Sequence, residues 1–268
     1  YSYNMKLQIK DKTACEKFTS IICNMQRFCE NIILFFNKDH FYVQCMDFTQ
    51  VVLFEVRLDS SFFHEYKMEK GDSSNIGIRS TIIQKIFNTR NSVQDITLSY
   101  KGNPDKISIS FENINNDSMD IPKYFELPLI EIDTPLLSIP DKEYPVDFSI
   151  STKIFSGIVN DLLLFGENIK VICNEQKILM QSCDFEGSVL VKLFDESESI
   201  EKITDYAIEQ DLSVELDFSN KYFSQFCAFS KLSDTINLYY SNDMPMQLMY
   251  QITENSYVRF YLTSLSED

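Results

Sequence analysis

Hydrophobic residues recur along the chain at two alternating spacings. Every second residue is apolar within residues 6–10, which is typical of a strand with one buried face. From about Thr13 the spacing changes, and Phe18, Ile21 and Met25 fall on one face of a helix. Strands rich in β-branched and aromatic residues are predicted next, at residues 32–36, 40–46 and 51–58. The chain therefore begins with a predicted strand, a helix and three strands.

The same arrangement of a helix followed by strands recurs three more times. Further helices are predicted at residues 80–90, 152–165 and 220–232. Further strands are predicted at residues 76–78, 96–100, 106–112, 124–132, 146–150, 169–173, 178–183, 189–194, 236–240 and 247–252. Polar stretches are predicted to form loops at residues 71–75, 113–120 and 195–211. Four copies of one helix-plus-strands unit predict an α+β fold.

An internal duplication relates the two halves of the chain. A constant offset of 137 residues matches the halves without gaps. The matched pairs are Phe18 and Phe155, Ile21 and Ile158, Phe28 and Phe165, Asn37 and Asn174, Gln44 and Gln181, Asp47 and Asp184, Phe48 and Phe185, and Leu53 and Leu190. The duplication predicts an N-terminal domain at residues 5–133, a connector at residues 134–145 and a C-terminal domain at residues 146–268. Residues 1–4 precede the first Met and are left out of this division.

The connector carries apolar residues where a flexible linker would carry Gly and Ser. Leu137, Ile139 and Pro140 lie close together within it. A segment of this composition is semi-rigid and, when exposed, offers apolar side chains to a partner. A plain linker without a binding role is the alternative interpretation.

Composition indicates a folded protein that is soluble and intracellular. Hydrophobic residues make up 44% of the 268 residues, which is enough for real cores. No run approaches the roughly 18 apolar residues of a membrane span, and the N-terminus lacks a basic-then-apolar secretory signal. The seven cysteines show no CxxC spacing, so neither disulfides nor a zinc site is expected.

Charge is distributed unevenly along the chain. The net charge of −16 by itself argues against a polyanion as a partner, but the predicted helices carry only the acids Glu16 and Asp161. The basic residues of these helices are Lys17, Arg27, Lys85, Arg90, Lys153, Lys221 and Lys231. If the helices share one side of the sheets, they form a weakly basic face that can hold a phosphate backbone without reading bases. Chance placement on ordinary amphipathic helices is the alternative.

The residues that usually carry catalysis form no recognisable motif in this sequence. His40 and His64 are the two histidines, and neither has a nucleophile motif beside it. The six glycines are scattered singly rather than grouped in a phosphate-binding loop. Asp47 and Asp184 are equivalent turn residues, which fits turn capping better than general-base catalysis. No enzymatic activity, metal or cofactor is expected.

Five segments of the chain closely resemble the proliferating cell nuclear antigen family. They are residues 43–47 (VQCMD), 138–144 (SIPDKEY), 155–166, 241–245 (SNDMP) and 257–262 (YVRFYL), and the resemblance runs in order from Met5 to the C-terminus. It implies the DNA-clamp fold, with helices lining the interior of a ring and antiparallel sheets outside. It also implies a nuclear, homotrimeric sliding clamp that encircles double-stranded DNA independently of sequence. The implied partners are DNA polymerase, a clamp loader ATPase, proteins with short interacting peptides and further copies of the chain, with no membrane involved.

The resemblance also implies roles for individual residues. The partner-peptide groove would be formed by Met46, Gln50, Val51, Leu137, Ile139, Pro140, Pro245, Tyr261 and Thr263. Gln50 replaces a usual His and Thr263 a usual Ala, which bears on partner preference. Copies of the chain are expected to pair edge to edge, because unpaired strand edges otherwise invite aggregation. The expected strands are residues 124–129, which include the family's interface tyrosine at Tyr124, and residues 178–183 of the next copy, with Ile178, Met180 and Ser182.

The helix face of this chain is less basic than the family pattern. Uncharged residues stand where the family commonly has Lys or Arg, at Thr19, Ser20, Gln26, Asn88, Gly157, Asn160 and Ala228. This difference leaves open a clamp specialised away from bulk replication. The alternative function is a clamp-fold subunit of a heteromeric checkpoint-type ring or a viral transcription accessory factor, and a viral protein would work at a cytoplasmic replication site.

Overall fold

The computed structural model describes residues 5–68, 74–100, 105–113 and 120–265. The chain divides into two compact units. The first comprises Tyr1–Phe48, Phe54–Leu137 and Ile252–Val258, and the second comprises Thr49–Leu53, Ser138–Gln251 and Arg259–Asp268. Residues 1–4 and parts of the predicted loops at residues 71–75 and 113–120 lie outside the described residues.

The helices and strands follow the predicted order closely. As far as Pro128 they are β1 (Met5–Ile9), α1 (Lys12–Asn24), β2 (Asn31–Phe36), β3 (His40–Met46), β4 (Val52–Asp59), β5 (Glu65–Met68), β6 (Ser74–Arg79), α2 (Ser80–Phe87), β7 (Gln94–Tyr100), β8 (Lys106–Asn113) and β9 (Lys123–Pro128). From Val146 onward they are β10 (Val146–Ser151), α3 (Thr152–Leu162), β11 (Asn168–Asn174), β12 (Lys177–Cys183), β13 (Ser188–Asp195), β14 (Ile200–Glu201), β15 (Ile203–Ile208), β16 (Ser213–Ser219), α4 (Asn220–Cys227), β17 (Thr235–Tyr240), β18 (Met246–Thr253) and β19 (Ser256–Leu262). The predicted α+β class is confirmed.

The first unit combines antiparallel sheets with helices α1 and α2. Its strand orders are β5-β1-β7-β8-β9 in one sheet and β6-β2-β3-β4 in the other. Alternate residues of β1 are buried, as its period-two pattern predicts. Helix α1 begins after Asp11, whose side chain accepts a hydrogen bond of 2.8 Å from the Ala14 N–H and so satisfies one of the free amides of the first turn.

Aromatic rings fill the core of the first unit. Phe18 of α1 is fully buried, and its ring centroid lies 5.9 Å from that of Phe41 and 5.8 Å from that of Phe87. Because Phe41 belongs to β3 and Phe87 to α2, this one side chain ties both helices to a sheet. Aromatic pairs at such distances add stability beyond the area that they bury.

The second unit repeats this construction. Its strand orders are β14-β13-β12-β11-β16 and β15-β10-β17-β18. Phe155 of α3, the duplicate of Phe18, is fully buried and lies 6.1 Å from the ring of Phe223 on α4. Phe223 in turn lies 6.0 Å from Phe218 of β16. The duplication therefore places the same aromatic residue at the centre of each core.

The prediction of a solvated loop at residues 195–211 is wrong. These residues form a short 3-10 turn, β14 and β15, and β15 pairs antiparallel with β10. Ile203 is buried, whereas Asp205, the acid of β15, is exposed. Strands β5, β16 and β19 also form where no strand was predicted. A high density of acidic residues thus indicates that one face of a segment is exposed to water, but it does not exclude a strand.

Three helices end earlier than their apolar pattern predicts. α2 ends at Phe87, α3 at Leu162 and α4 at Cys227. Beyond each end the chain tightens into turns with i to i+3 hydrogen bonds, as from the Leu164 N–H to the Asp161 carbonyl oxygen. Buried residues such as Leu232 continue past α4 within these turns. Their burial extends the apolar pattern beyond the true end of the helix.

The predicted strand at residues 124–132 is also shorter. β9 ends at Pro128, and residues 129–145 form neither helix nor strand. The Ile130 N–H instead donates a 2.9 Å hydrogen bond to the Gly77 carbonyl oxygen on β6. A Cβ atom at Gly77 would lie 2.2 Å from the Ile130 oxygen, so glycine is required for this close approach. The connector thus begins at a fixed point on the first unit.

Candidate functional site

Exposed lysines mark the helices of both units. Lys85 on α2, Lys153 on α3 and Lys221 on α4 are exposed, as is Lys231 in the turn after α4. In the part of the chain that the structure describes, these four ammonium groups form no ion pair with an acid. Lys221 lies 5.4 Å from the centroid of the Tyr222 ring, a distance at which a cation and a ring attract each other. These cations are therefore available to an anionic partner.

The three remaining predicted cations have different surroundings. Arg27 is exposed in the 3-10 turn after α1, and Lys17 is half-buried on α1. Arg90 is committed to its own unit, because its Nε donates a 2.8 Å hydrogen bond to the Gln94 carbonyl oxygen. Its Nη1 lies 3.5 Å from the Thr19 hydroxyl. The structure therefore does not place the Arg90 guanidinium among the exposed cations.

Arg90 lies beside a buried thiol. Burial raises the pKa of the Cys15 thiol to about 11, although the positive charge of Arg90 opposes the rise. A thiol that holds its proton this strongly is a poor nucleophile at neutral pH. The Sγ of Cys15 also donates to the Ile9 carbonyl oxygen at 3.3 Å. Arg90 and Cys15 therefore fit a structural role, as expected for most of the cysteines.

In the first unit, one glutamine side chain fixes the connector beside β3. The Leu137 N–H donates a 2.7 Å hydrogen bond to Oε1 of Gln44, and Nε2 of Gln44 donates a 3.0 Å bond to the Leu137 carbonyl oxygen. The side chains of Leu136, Leu137 and Met46 remain exposed. Phe48, in the turn after β3, is 99% exposed. The first unit thus exposes four large apolar side chains in the connector, at the end of β3 and in the turn after it.

In the second unit, hydrogen bonds join other residues of the predicted groove. The Thr263 N–H and hydroxyl both donate to the Val51 carbonyl oxygen, at 3.1 and 3.3 Å. The Tyr144 hydroxyl, from the end of the connector, donates to the Pro245 carbonyl oxygen at 2.8 Å. Burial raises the pKa of Tyr144 well above its usual range, and the Tyr261 hydroxyl nearby adds to the rise.

The other predicted groove residues of the second unit differ in exposure. Ile139 is half-buried and Pro140 is exposed, whereas the ring of Tyr261 is buried. Gln50 is exposed and has a φ of 59°, a left-handed conformation that a non-glycine residue adopts at some cost. Within this unit the connector therefore offers Ile139 and Pro140 to a partner, whereas the ring of Tyr261 is buried.

Strand β9 provides an open edge in the first unit. It is the terminal strand of its sheet and pairs with β8 alone. Tyr124 on this strand is 70% exposed, which is unusual for a large aromatic side chain in a folded protein. The predicted contact strand at residues 124–129 therefore has both an open backbone edge and an exposed aromatic ring.

The strand predicted to meet it, at residues 178–183, requires a correction. β12 pairs with β11 on one side and with β13 on the other, so it has no open edge. Ile178, Met180 and Ser182 are buried within the second unit. The prediction therefore selected an interior strand, which cannot pair with a further strand.

Strand β13 provides an open edge in the second unit. β13 pairs with β14 only at Phe194 and Asp195, and the Leu193 carbonyl oxygen accepts from the Lys202 N–H. Among the described residues, the outer side of residues 188–192 has no partner strand. Leu190 on this strand is exposed, and Phe185 in the preceding turn is 96% exposed.

Comparisons with known proteins agree with the sequence segments and the fold. The model of the proliferating cell nuclear antigen N-terminal domain matches residues 15–135, and that of its C-terminal domain matches residues 138–265. The chain belongs to the proliferating cell nuclear antigen family. It is 29% identical to the Chaetomium thermophilum protein of that name over 231 residues, which cover 84% of this chain and 85% of the relative.

Animal members of the family show similar identity. The chain is 26% identical to proliferating cell nuclear antigen 2 of Drosophila melanogaster over 226 residues, covering 84% of this chain and 85% of the relative. It is 27% identical to the proliferating cell nuclear antigen of Caenorhabditis elegans over 228 residues, covering 84% of each protein. The resemblance proposed from the five segments is therefore confirmed.

Membership of the proliferating cell nuclear antigen family establishes the general function. The protein is a DNA sliding clamp, a processivity factor for DNA replication. Both family models match this one family, so the alternative of a checkpoint-type or transcription subunit is not favoured. Clamps of this family act as non-enzymatic scaffolds.

Within the described ranges, no group of three or more His, Cys, Asp or Glu side chains could hold a metal ion. No helix in the same part of the chain is long and apolar enough to cross a bilayer.

Proposed function

We propose that three copies of this chain close head to tail into a ring that encircles duplex DNA. The carrying observation is that β9 in the first unit and β13 in the second are two different open sheet edges, and that each carries a large exposed apolar side chain, Tyr124 and Leu190. Pairing of β9 of one copy with β13 of the next is a heterologous contact, which generates a ring when its rotation closes. In such a ring each chain pairs both of these edges with neighbouring copies. This contact replaces the one expected at residues 178–183.

Side chains near the two edges support the same contact. Tyr124 on β9 is exposed in the single chain, as are Leu190 on β13 and Phe185 before it. Leu163 and Leu164, which follow α3 in the second unit, are exposed as well. Main-chain pairing gives affinity to an added strand, while side chains beside it give specificity. The proposed contact would bury apolar side chains that the single chain leaves in water.

The exposed lysines are proposed to face the DNA. Lys85, Lys153 and Lys221 project from helices, and each bears a charge that no acid of the described residues neutralises. Contacts of lysine with phosphate are independent of base sequence, which suits a protein that must slide. Because a closed ring is held topologically, few cations suffice. We include a clamp loader ATPase, which would open the ring, and DNA polymerase as partners, with the nucleus as the place of action.

The apolar surface of the connector is proposed to bind partner peptides. Ile139 and Pro140 from the second unit and Leu137 and Met46 from the first are the anchoring side chains, and Gln50, Val51, Pro245, Tyr261 and Thr263 complete the proposed site. An amphipathic turn of a partner would place aliphatic and aromatic anchors on this surface, as in other helix-in-groove complexes. We also retain the division into domains at residues 5–133 and 146–268 as a proposal.

Replacement of Ile139 by Ala is expected to weaken peptide binding. A peptide with a Gln, an aliphatic and two adjacent aromatic anchors should bind at roughly micromolar affinity, about −8 kcal/mol. Ile139→Ala removes an apolar contact at the centre of the site and should cost on the order of 1 to 2 kcal/mol. Calorimetry on the wild type and the variant measures the difference.

The matched control is Asp141→Ala, which changes an exposed residue of the same connector. A rim position should alter the affinity much less than Ile139 does. Equal affinities of Ile139→Ala and the wild type would show that the peptide binds elsewhere.

A further inference from the structure

Gln44 serves Leu137 in the way that a neighbouring strand would. Its Oε1 accepts from the Leu137 N–H at 2.7 Å, and its Nε2 donates to the Leu137 carbonyl oxygen at 3.0 Å. A single side chain therefore satisfies both main-chain polar groups of one connector residue. Among the described residues, the two bonds from Gln44 are the hydrogen bonds that attach the connector between Ile130 and Pro140 to the rest of the chain.

A second layer of hydrogen bonds orients the Gln44 amide. Its Nε2 also donates to the Tyr42 hydroxyl at 3.1 Å. That hydroxyl donates to Oε1 of Glu55 at 3.1 Å, and the Tyr257 hydroxyl donates to the same oxygen at 3.3 Å. Glu55 is only 5% exposed. The chain Leu137, Gln44, Tyr42, Glu55 and Tyr257 lies wholly within the first unit and links the connector to β3, β4 and β19.

The direction of these bonds follows from the chemistry of the groups. Burial and the neighbouring Glu55 raise the pKa of Tyr42 well above its usual range, so its hydroxyl keeps its proton at neutral pH. Because that proton is donated to Glu55, the oxygen of Tyr42 is left to accept from an N–H group. Of the two ends of the Gln44 amide, only Nε2 carries N–H groups, so Nε2 must face the Tyr42 oxygen. This orientation turns Oε1 toward the Leu137 N–H.

We propose that Gln44 is a positioning residue that holds the connector in its partner-binding conformation, and that Tyr42, Glu55 and Tyr257 fix the orientation of Gln44. The proposal rests on the proposed peptide-binding role of the connector. Residues 129–145 form neither helix nor strand, so no regular pattern of main-chain hydrogen bonds fixes their conformation. Fixing the main chain of a residue before the partner arrives removes an entropic cost that binding would otherwise bear.

Hydrogen exchange of the Leu137 amide in the free, intact protein tests the positioning role directly. Gln44→Leu is expected to raise the exchange rate of this amide at least tenfold. It should also lower the affinity for the peptide described above about tenfold, while the melting temperature of the protein changes little. Tyr42→Phe should raise the exchange rate by a smaller factor, because it removes only the group that orients the amide. This second variant keeps the test available if Gln44→Leu folds poorly.

The matched control is Gln181→Leu, at the duplicated position of Gln44 on β12. Gln181 is half-buried, and in the described residues it has no hydrogen bond to the connector. The variant Gln181→Leu should leave both the exchange rate of the Leu137 amide and the affinity for the peptide unchanged. Unchanged Leu137 exchange in Gln44→Leu would overturn the positioning role whatever the peptide does. Faster exchange with unaltered affinity, together with a neutral Ile139→Ala, would instead overturn the proposed use of the connector as a binding site.

Discussion

Replacement of Tyr124 by Ala is expected to reduce the assembled protein to single chains. In the proposed ring, β9 of one copy pairs with β13 of the next, and the exposed ring of Tyr124 becomes buried at that contact. Burying one large apolar side chain contributes roughly 1.5 to 3 kcal/mol, and three such contacts close the ring. Light scattering should give three times the 31.3 kDa chain mass for the wild type and the mass of one chain for the variant.

The opposite side of the contact provides an independent test. Leu190→Lys places a charge on the open edge of β13 and should have the same effect on mass. Phe48→Ala is the control, because it removes an even more exposed aromatic side chain from the turn after β3, a strand of the other sheet of the first unit. A wild-type mass for both Tyr124→Ala and Leu190→Lys would reject the pairing of β9 with β13.

Reversal of charge at Lys85 and Lys221 is expected to weaken DNA association strongly. Each trimer would lose six cations and gain six anions on the helices proposed to face DNA. For B-form DNA, the logarithm of the binding constant falls with the logarithm of salt concentration by about 0.9 for each neutralised phosphate. The double variant Lys85→Glu and Lys221→Glu should therefore bind at least roughly tenfold more weakly at low salt and show a smaller salt slope.

Lys38→Glu with Lys177→Glu makes the control for this experiment. Lys38 lies in the turn between β2 and β3, and Lys177 is the first residue of β12, directly after the corresponding turn. Neither lysine belongs to a helix, and their reversal changes the net charge equally. Long-range repulsion by the added acids would affect both double variants alike. If the two bind DNA with equal affinity, the helix lysines have no special role.

The starts of the helices could be predicted from the sequence, but most of their ends could not. The apolar period identifies Phe18 and Phe155 as equivalent core residues, and both are fully buried. Helix ends depend on the hydrogen bonds of the last turn, where 3-10 geometry takes over while buried residues such as Leu232 continue the pattern. Hydrophobic spacing does not distinguish these two conformations.

The missed strands β5 and β15 are equivalent elements of the two units. Tyr66 on β5 donates its hydroxyl proton to the Asn37 carbonyl oxygen at 2.7 Å, and Tyr206 on β15 makes the same bond to Asn174 at 2.7 Å. Asn37 and Asn174 match at the offset of 137 residues, but Tyr66 and Tyr206 are 140 residues apart. The constant offset therefore does not pair the two tyrosines, and because β5 was not predicted either, the duplication could not reveal β15.

The candidate sites were predictable to different degrees. The exposed helix lysines follow from local charge, so the sequence identifies most of them. The open edge of β13 depends on which strands lie next to it, and Gln44 is an ordinary alternating residue of β3 until Leu137 lies beside it. Arg90 has the same charge as the exposed cations but is held by Gln94. Contacts between distant parts of the chain decide these cases, and local sequence does not contain them.

Retention on closed DNA tests the sliding clamp most directly. The wild-type protein would be loaded onto a closed duplex circle with a clamp loader ATPase and ATP, and salt would then be raised until the lysine contacts are screened. We expect the protein to remain on the circle and to be lost once a single restriction cut makes the DNA linear. Equal retention on circular and linear DNA, or immediate loss from the circle at high salt, would contradict a ring that encloses its DNA.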